Sequence, residues 1–313
     1  MSLPTFVIAG ERRCGTTSLA SWIECHPDIY MHPNRDMAYF IEDEIVGKST
    51  WRDGEADADR WEKTHSPRAY AELFLDGDGF KAVGEKSADY LYWKPAHERI
   101  AGYLPEAKFI ITLRNPADRA WSHYWNEVGK GRETLSFEEA LKAEDERCLK
   151  SAWARDHLSY IRRGFYDESL SAFFEYIPPE RVMVVTVEQS HTSSRKVLEG
   201  IYRFLGVNSS LGYELAGTKH NVNWTMISRS WANLPIVNAV GRIYSRVVGK
   251  IAEAMAEDID KRREINKKLG VVFKKPATGI SMSEKSREYL KKLYEPHIGA
   301  LEVLLGRKFS EWR

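Results

Sequence analysis

Along the chain, short apolar runs alternate with longer stretches of helical spacing. Four runs read as strands: Thr5 to Ala9, Lys81 to Val83, Lys108 to Leu113 and Val182 to Val187. None shows strict polar alternation, the pattern of parallel strands covered on both faces. Thr17 to Cys25 follows the first strand with helical periodicity. Pro116 to Val128 follows the third, with Asn115 as N-cap and proline at the first helical position. Ser136-Phe137-Glu138-Glu139 is a capping box opening another helix. Asp167 to Phe174 and Ser194 to Leu205 bracket the fourth strand, and Leu234 to Val248 and Ile251 to Leu269 form a helical pair. A second capping box, Ser281 to Glu284, predicts the last helix. Strands alternating with helices imply βαβ units. The expected fold is α/β: a single domain over residues 1–313, with a parallel sheet flanked by helices and helical or loop insertions near 41–79, 130–160 and 206–280. Gly47 to Gly54 and Asp76 to Gly79 read as surface loops. Gly206 to Trp224 lacks periodicity and is long enough to be a functional loop.

Composition narrows the functional classes. With 313 residues, 43% hydrophobic and 29% charged, the chain can bury a sizeable core, which excludes a disordered or disulfide-stapled protein. Basic and acidic residues nearly balance at a net charge of +1, so no global field points to nucleic acid, and any anion site must be local. No stretch approaches eighteen apolar residues, so no membrane span is expected. The three cysteines, Cys14, Cys25 and Cys148, have no metal-like spacing, and Phe6 to Ala9 is too short for a signal peptide. Both point to a reducing, cytoplasmic compartment. No metal-ligand cluster stands out.

Three segments carry candidate chemistry. Gly10-Glu11-Arg12-Arg13-Cys14-Gly15-Thr16-Thr17 lies between a predicted strand and a predicted helix. Glycines there let the backbone wrap an anion, and a helix N-terminus directs N–H groups at it. The spacing is that of a nucleotide P-loop, but Thr16 stands where that motif has lysine, and the cations come earlier, at Arg12 and Arg13. No carboxylate of the Walker-B kind follows an apolar strand, which disfavours ATP or GTP hydrolysis. Next, Arg114 sits at the carboxyl end of a strand, where α/β sheets bind ligands, with Ser122 two helical turns further on. Together they offer a second anion anchor; taken alone they read rather as a solvent-facing arginine and an interior helical serine. Finally, Glu85 and Lys86 end a strand, where a carboxylate can take a proton and an ammonium can stabilise charge. The plain alternative is a surface ion pair.

Read together, these segments resemble the sulfotransferases that use 3′-phosphoadenosine 5′-phosphosulfate (PAPS) and release 3′-phosphoadenosine 5′-phosphate (PAP). The loop from Phe6 to Leu19 is similar to their 5′-phosphosulfate loop, G-x-x-K-x-G-T-T-x-L, with Arg13 in place of the lysine. His26 to Ile29 and Arg35 to Phe40 look like the family's H-P-x-[IV] and K-E-x-x-F-F segments. Leu113 to Ser122 is similar to the 3′-phosphate motif, L-R-[ND]-P-x-x-R-x-x-S. Gly84 to Tyr90 resembles the E-K-[ST]-x-x-Y stretch of heparan-sulfate N- and O-sulfotransferases, where that glutamate is the general base. The resemblance implies nucleotide contacts from Arg12, Arg13, Cys14, Gly15, Thr16, Thr17, Ser18, Arg114 and Ser122, and from Tyr166 and the loop residues Lys219, His220 and Asn221. It implies Glu85 as base, with Arg13 and Lys86 as cations; His97 and His123 are fallback bases. Tyr90, Trp93, Tyr124 and Trp125 are expected to shape the pocket of a small-molecule acceptor such as a metabolite, glycolipid or natural product of a bacterial-type enzyme. The final segment, Leu293 to Trp312, looks like a packing helix of bacterial relatives. Two other classes fit the same loop: a P-loop kinase or NTPase, and a non-catalytic protein that binds PAP.

Overall fold

The computed structural model describes residues 3–34, 36–41, 67–214, 216, 224–226, 274–276 and 281–313. Five strands form one parallel sheet in the order β2-β3-β1-β4-β5: β1 (Phe6–Gly10), β2 (Ile29–Met31), β3 (Ala82–Lys86), β4 (Lys108–Leu113) and β5 (Val182–Thr186). The four sequence-predicted strands are present, and β3 runs on past its predicted end to include Glu85 and Lys86. Sequence reading misses β2, because three residues after a His-Pro turn carry no measurable period. Since all strands run the same way, β1, β3, β4 and β5 deliver their following loops to one edge of the sheet. The chain crosses from one side of β1 to the other between β3 and β4, so the space beyond β1 and β4 is the topological switch point where such sheets bind ligands.

Both faces of the sheet are covered. Val7, Ala9, Val83, Phe109, Ile111 and Leu113 pack on one face with α3 (Pro95–Tyr103), α7 (Tyr166–Phe174) and α10 (Glu284–Leu305). Phe6, Ile8, Ala82 and Ile110 pack on the other with α1 (Thr16–Ile23) and α9 (Ser194–Leu205). Gly84 is required by this packing: a side chain there would enter the ring of Phe6. A third apolar cluster joins α4 (Pro116–Gly129), α5 (Phe137–Lys150) and α6 (Ala152–His157) to α10. The remaining described α-helices are α2 (Pro67–Glu72) and α8 (Val187–Thr192), and a short antiparallel pair joins β6 (Trp224–Met226) with β7 (Lys274–Pro276).

Local signals act as read at most ends. The Asn115 side chain accepts from the amides of Ala117 and Asp118, and the Ser136–Glu139 capping box closes in both directions. The second box does not form as expected. Ser283, not Ser281, caps α10, because its hydroxyl accepts from the Ser286 amide while both serine hydroxyls donate to Glu138 on α5. A tertiary contact thus selects the cap. The helical pair predicted over 234–269 lies outside the described residues, as do Gly47 to Gly54. No described helix is long and apolar enough to cross a membrane.

Candidate active site

The loop after β1 is pinned to β4. The Glu11 amide donates to the Thr112 carbonyl at 2.8 Å, and the Thr112 hydroxyl donates to the Gly10 carbonyl at 2.9 Å. Arg13 and Gly15 take positive φ, 71° and 77°, which curls the loop over the start of α1. No side chain caps α1, so its first-turn amides, from Thr16 onward, remain directed at the concave side of the loop.

Two cations come together there. Arg13 donates through Nε to the Ser122 hydroxyl at 3.1 Å and through Nη1 to Asn126 Oδ1 at 3.2 Å. Burial, and then the neighbouring charge of Arg114, pull its pKa down to about 10. Arg114 is half-buried at the end of β4. Its carbonyl accepts from the Tyr166 hydroxyl at 2.9 Å. Holding two guanidinium groups together in a partly desolvated place costs free energy that a bound anion returns. Both sequence-predicted anchors therefore converge, from adjacent parallel strands, on one place. Asn126 was not anticipated; its position four residues after Ser122, on the same helical face, is the signal that identifies it.

Arg12 behaves differently from the expectation. Its guanidinium turns away from the concave side and binds Asp89 at 2.6 Å and Asp156 at 2.8 Å, while its amide donates to its own neighbour, Glu11. Arg163, fully buried, closes the network through Glu11 at 2.9 Å, Asp89 at 2.8 Å and Asp156 at 3.2 Å, and stacks on Tyr92. Burial raises the Asp89 carboxyl, but Arg12 and Arg163 outweigh it and hold it well below the usual range. At Glu11 burial wins and the pKa is raised despite Arg163. Arg12 is thus a brace of the loop. Tyr166, almost fully buried, likewise holds the Arg114 backbone and lies 3.7 Å from the Cys14 sulfur. The Cys14 thiol is pushed up to about 12, chiefly by burial, so it is no thiolate.

Glu85 lies on the face of β3 shared with Val7 and is fully buried. Neither carboxylate oxygen makes a hydrogen bond of normal geometry among the described residues. Burial raises its pKa to about 7; the phenols of Tyr70 and Tyr90 beside it pull the other way, and Asp36 pushes up. Such a group exchanges its proton near neutral pH, as a general base must. Lys86 is committed elsewhere: its ammonium pairs with Asp36 at 2.6 Å.

The fallback histidines are structural. His97 is buried, with Nε2 shared between the Tyr90 and Leu91 carbonyls, and burial lowers its pKa. His123 is buried beside Arg119, and burial plus four surrounding arginines keep it neutral. Of the expected acceptor residues, Tyr90 borders Glu85, and Trp93 is buried in the same apolar cluster. Tyr124 and Trp125 pack in the third cluster around Trp121, with the Tyr124 hydroxyl on the Leu135 carbonyl. Lys219, His220, Asn221 and Arg35 lie outside the described residues. His26 is a structural corner, accepting the Asp28 amide and bonding the Asn208 carbonyl. A small cavity beside the loop is lined by Cys14, Gly15, Ser18, Trp22, Thr112 and Val187, among others.

Comparison with known proteins agrees with this geometry. A family model described as "Sulfotransferase family" matches residues 4–210. The human bifunctional heparan sulfate N-deacetylase/N-sulfotransferase 3 is 26% identical over 259 residues, covering 77% of this chain and 27% of that protein. The Drosophila melanogaster bifunctional heparan sulfate N-deacetylase/N-sulfotransferase is 25% identical over 217 residues, covering 68% of this chain and 20% of that protein. The chain therefore spans about a quarter of the length of such relatives. The crystal structure of a sulfotransferase from Alicyclobacillus acidocaldarius superposes with a TM-score of 0.67 at 26% identity, covering all of both chains. With the family model matching well over half its length, this chain belongs to the sulfotransferase family, enzymes that move a sulfuryl group from a PAPS-type donor.

Proposed function

We propose that this enzyme transfers the sulfuryl group of PAPS to a hydroxyl or amine of a small or medium-sized acceptor, with Glu85 as general base. The observation that carries the reading is the pairing of Arg13 and Arg114, with Ser122, at the ends of adjacent strands β1 and β4. A donor phosphorylated at both its 3′ and 5′ positions is the ligand that uses both cations. Arg114 and Ser122 hold the 3′-phosphate. Arg13, the Gly15 to Thr17 amides and the α1 dipole hold the 5′ end.

Glu85 takes the proton from the acceptor oxygen or nitrogen as that atom bonds to sulfur. The bond from sulfur to the bridging oxygen breaks, and its electron pair stays on the departing phosphate. Arg13 and the loop amides stabilise that growing charge. Arg13 replaces a compact ammonium with a planar fork, and Ser122 and Asn126 fix the direction of that fork. Lys86, paired with Asp36, keeps a supporting electrostatic role. The single domain over residues 1–313 and a reducing, cytoplasmic setting belong to the same proposal, supported by the three free cysteines.

The reading is tested by calorimetry with PAP and with ATP, each with and without Mg²⁺. PAP is expected to bind more tightly and independently of the metal; preference for ATP with Mg²⁺ would point to a kinase or NTPase. Arg114→Ala is expected to weaken PAP binding roughly 10- to 100-fold, the loss of a charge-assisted contact. An unchanged dissociation constant in that variant would remove Arg114 from the site.

A further inference from the structure

The segment after α10 reaches the 3′-phosphate anchor. Trp312, 5% exposed, stacks on Phe309 with ring centres 4.3 Å apart and planes 13° apart. Its indole Nε1 donates to Glu188 Oε2 at 3.1 Å, and its carbonyl accepts from Asn115 Nδ2 at 3.1 Å. Glu188, the first-turn acid of α8, accepts the Asn115 amide on its other oxygen at 3.0 Å. Nearby, Glu311 accepts from the Thr186 hydroxyl, and Arg307 donates to the Val184 carbonyl and lies over the Phe309 ring. Asn115 is the residue after Arg114 and the N-cap of α4, which carries Ser122.

The Arg114–Asn115 peptide bond is thus held at both its carbonyl and its amide from outside its own strand and helix. The Tyr166 hydroxyl holds the Arg114 carbonyl, Glu188 holds the Asn115 amide, and Trp312 holds both Glu188 and the Asn115 side chain. The direction in which the Arg114 guanidinium leaves the end of β4 depends on these bonds. So does the start of the helix that presents Ser122.

We infer that Trp312 and Glu188 form a clasp that positions Arg114 and Ser122 for the 3′-phosphate, so that residues following the last helix set the donor's 3′-phosphate selectivity. They are positioning residues: neither meets the ligand. The inference rests on the donor reading above and adds to it the origin of the selectivity.

The test compares PAP with adenosine 5′-monophosphate, which differs only in lacking the 3′-phosphate. Calorimetry on the full chain gives the ratio of the two dissociation constants. Trp312→Phe keeps an aromatic ring and removes the Nε1 donor; Glu188→Gln keeps an acceptor for Asn115 and loses the acceptor for the indole. Each is expected to lower the ratio about fivefold, as for one hydrogen bond to a charged or orienting group, with monophosphate binding changed less than twofold. A merely structural role weakens both ligands alike, and that result, or an unchanged ratio, overturns the inference. If Trp312→Phe fails to fold, Glu188→Gln decides. Absence of any PAP preference in the unaltered protein would instead refute the donor reading itself.

Discussion

Glu85→Gln is expected to lower kcat by about 10²–10⁴, the range for removing a positioned general base, while leaving PAP affinity unchanged. The carboxylate is buried with both oxygens lacking hydrogen bonds of normal geometry among the described residues, so the isosteric amide fits the same space. Because burial raises the pKa to about 7, kcat/KM of the unaltered enzyme is expected to rise with pH through that value and then level off. The variant should lose that acid limb. Stability moves the opposite way. Between the ordinary carboxyl pKa of 4.5 and about 7 the folded state holds a proton that the unfolded state has released. Stability therefore falls as pH rises across that window, by at most roughly 3 kcal/mol. Glu85→Gln should abolish this slope and be at least as stable as the original at pH 8, read by urea unfolding. A variant that retains full turnover, or whose activity is lost together with its fold, would remove Glu85 from the chemistry.

Arg163→Ala is expected to be the most destabilising single change, at about 3–5 kcal/mol. It removes one of two guanidinium groups that hold Glu11, Asp89 and Asp156 in a buried site. Asp89 and Asp156 then keep Arg12, but Glu11 loses its guanidinium partner, Arg163, and a buried carboxyl is left without its ion pair. The Arg163 ring contact with Tyr92 disappears as well. Glu11 and Arg12 belong to the phosphate loop, so the effect should reach PAP binding through loop order, even though Arg163 is not itself an anion ligand. Urea unfolding should show a lower midpoint at a nearly constant slope. A loss below about 1 kcal/mol, the scale of an exposed pair, would show that the network is not what holds the loop.

The parts of the fold that were legible in the sequence are those with local punctuation. Asn115-Pro116 marks the start of α4 to the residue, and α9 ends at Leu205 because Gly206 takes the left-handed conformation that stops it. The placement of Arg13, Arg114 and Glu85 is legible because each sits at or just after a strand end, and parallel strands deliver such residues to one edge; Ser122 follows on the helix that Asn115 caps. The bracing of Arg12 was not legible because its partners, Asp89 and Asp156, lie 77 and 144 residues away. No local pattern distinguishes a cation that braces a loop from one that binds through it. Tyr124 and Trp125 pose the complementary problem: aromatic residues beside a ligand motif look the same in sequence whether they face a pocket or a neighbouring helix. Trp312 was read as packing, and its second role depends on polar contacts to residues 115 and 188.

The central claim is that the ends of β1 and β4 hold the two phosphorylated ends of a single donor. A crystal structure of the PAP complex tests it most directly. The account predicts the 3′-phosphate against Arg114 and Ser122 and the 5′-phosphate against Arg13 and the amides of residues 15–17. Density placing both phosphates at one anchor, or the 3′-phosphate in solvent, would contradict it.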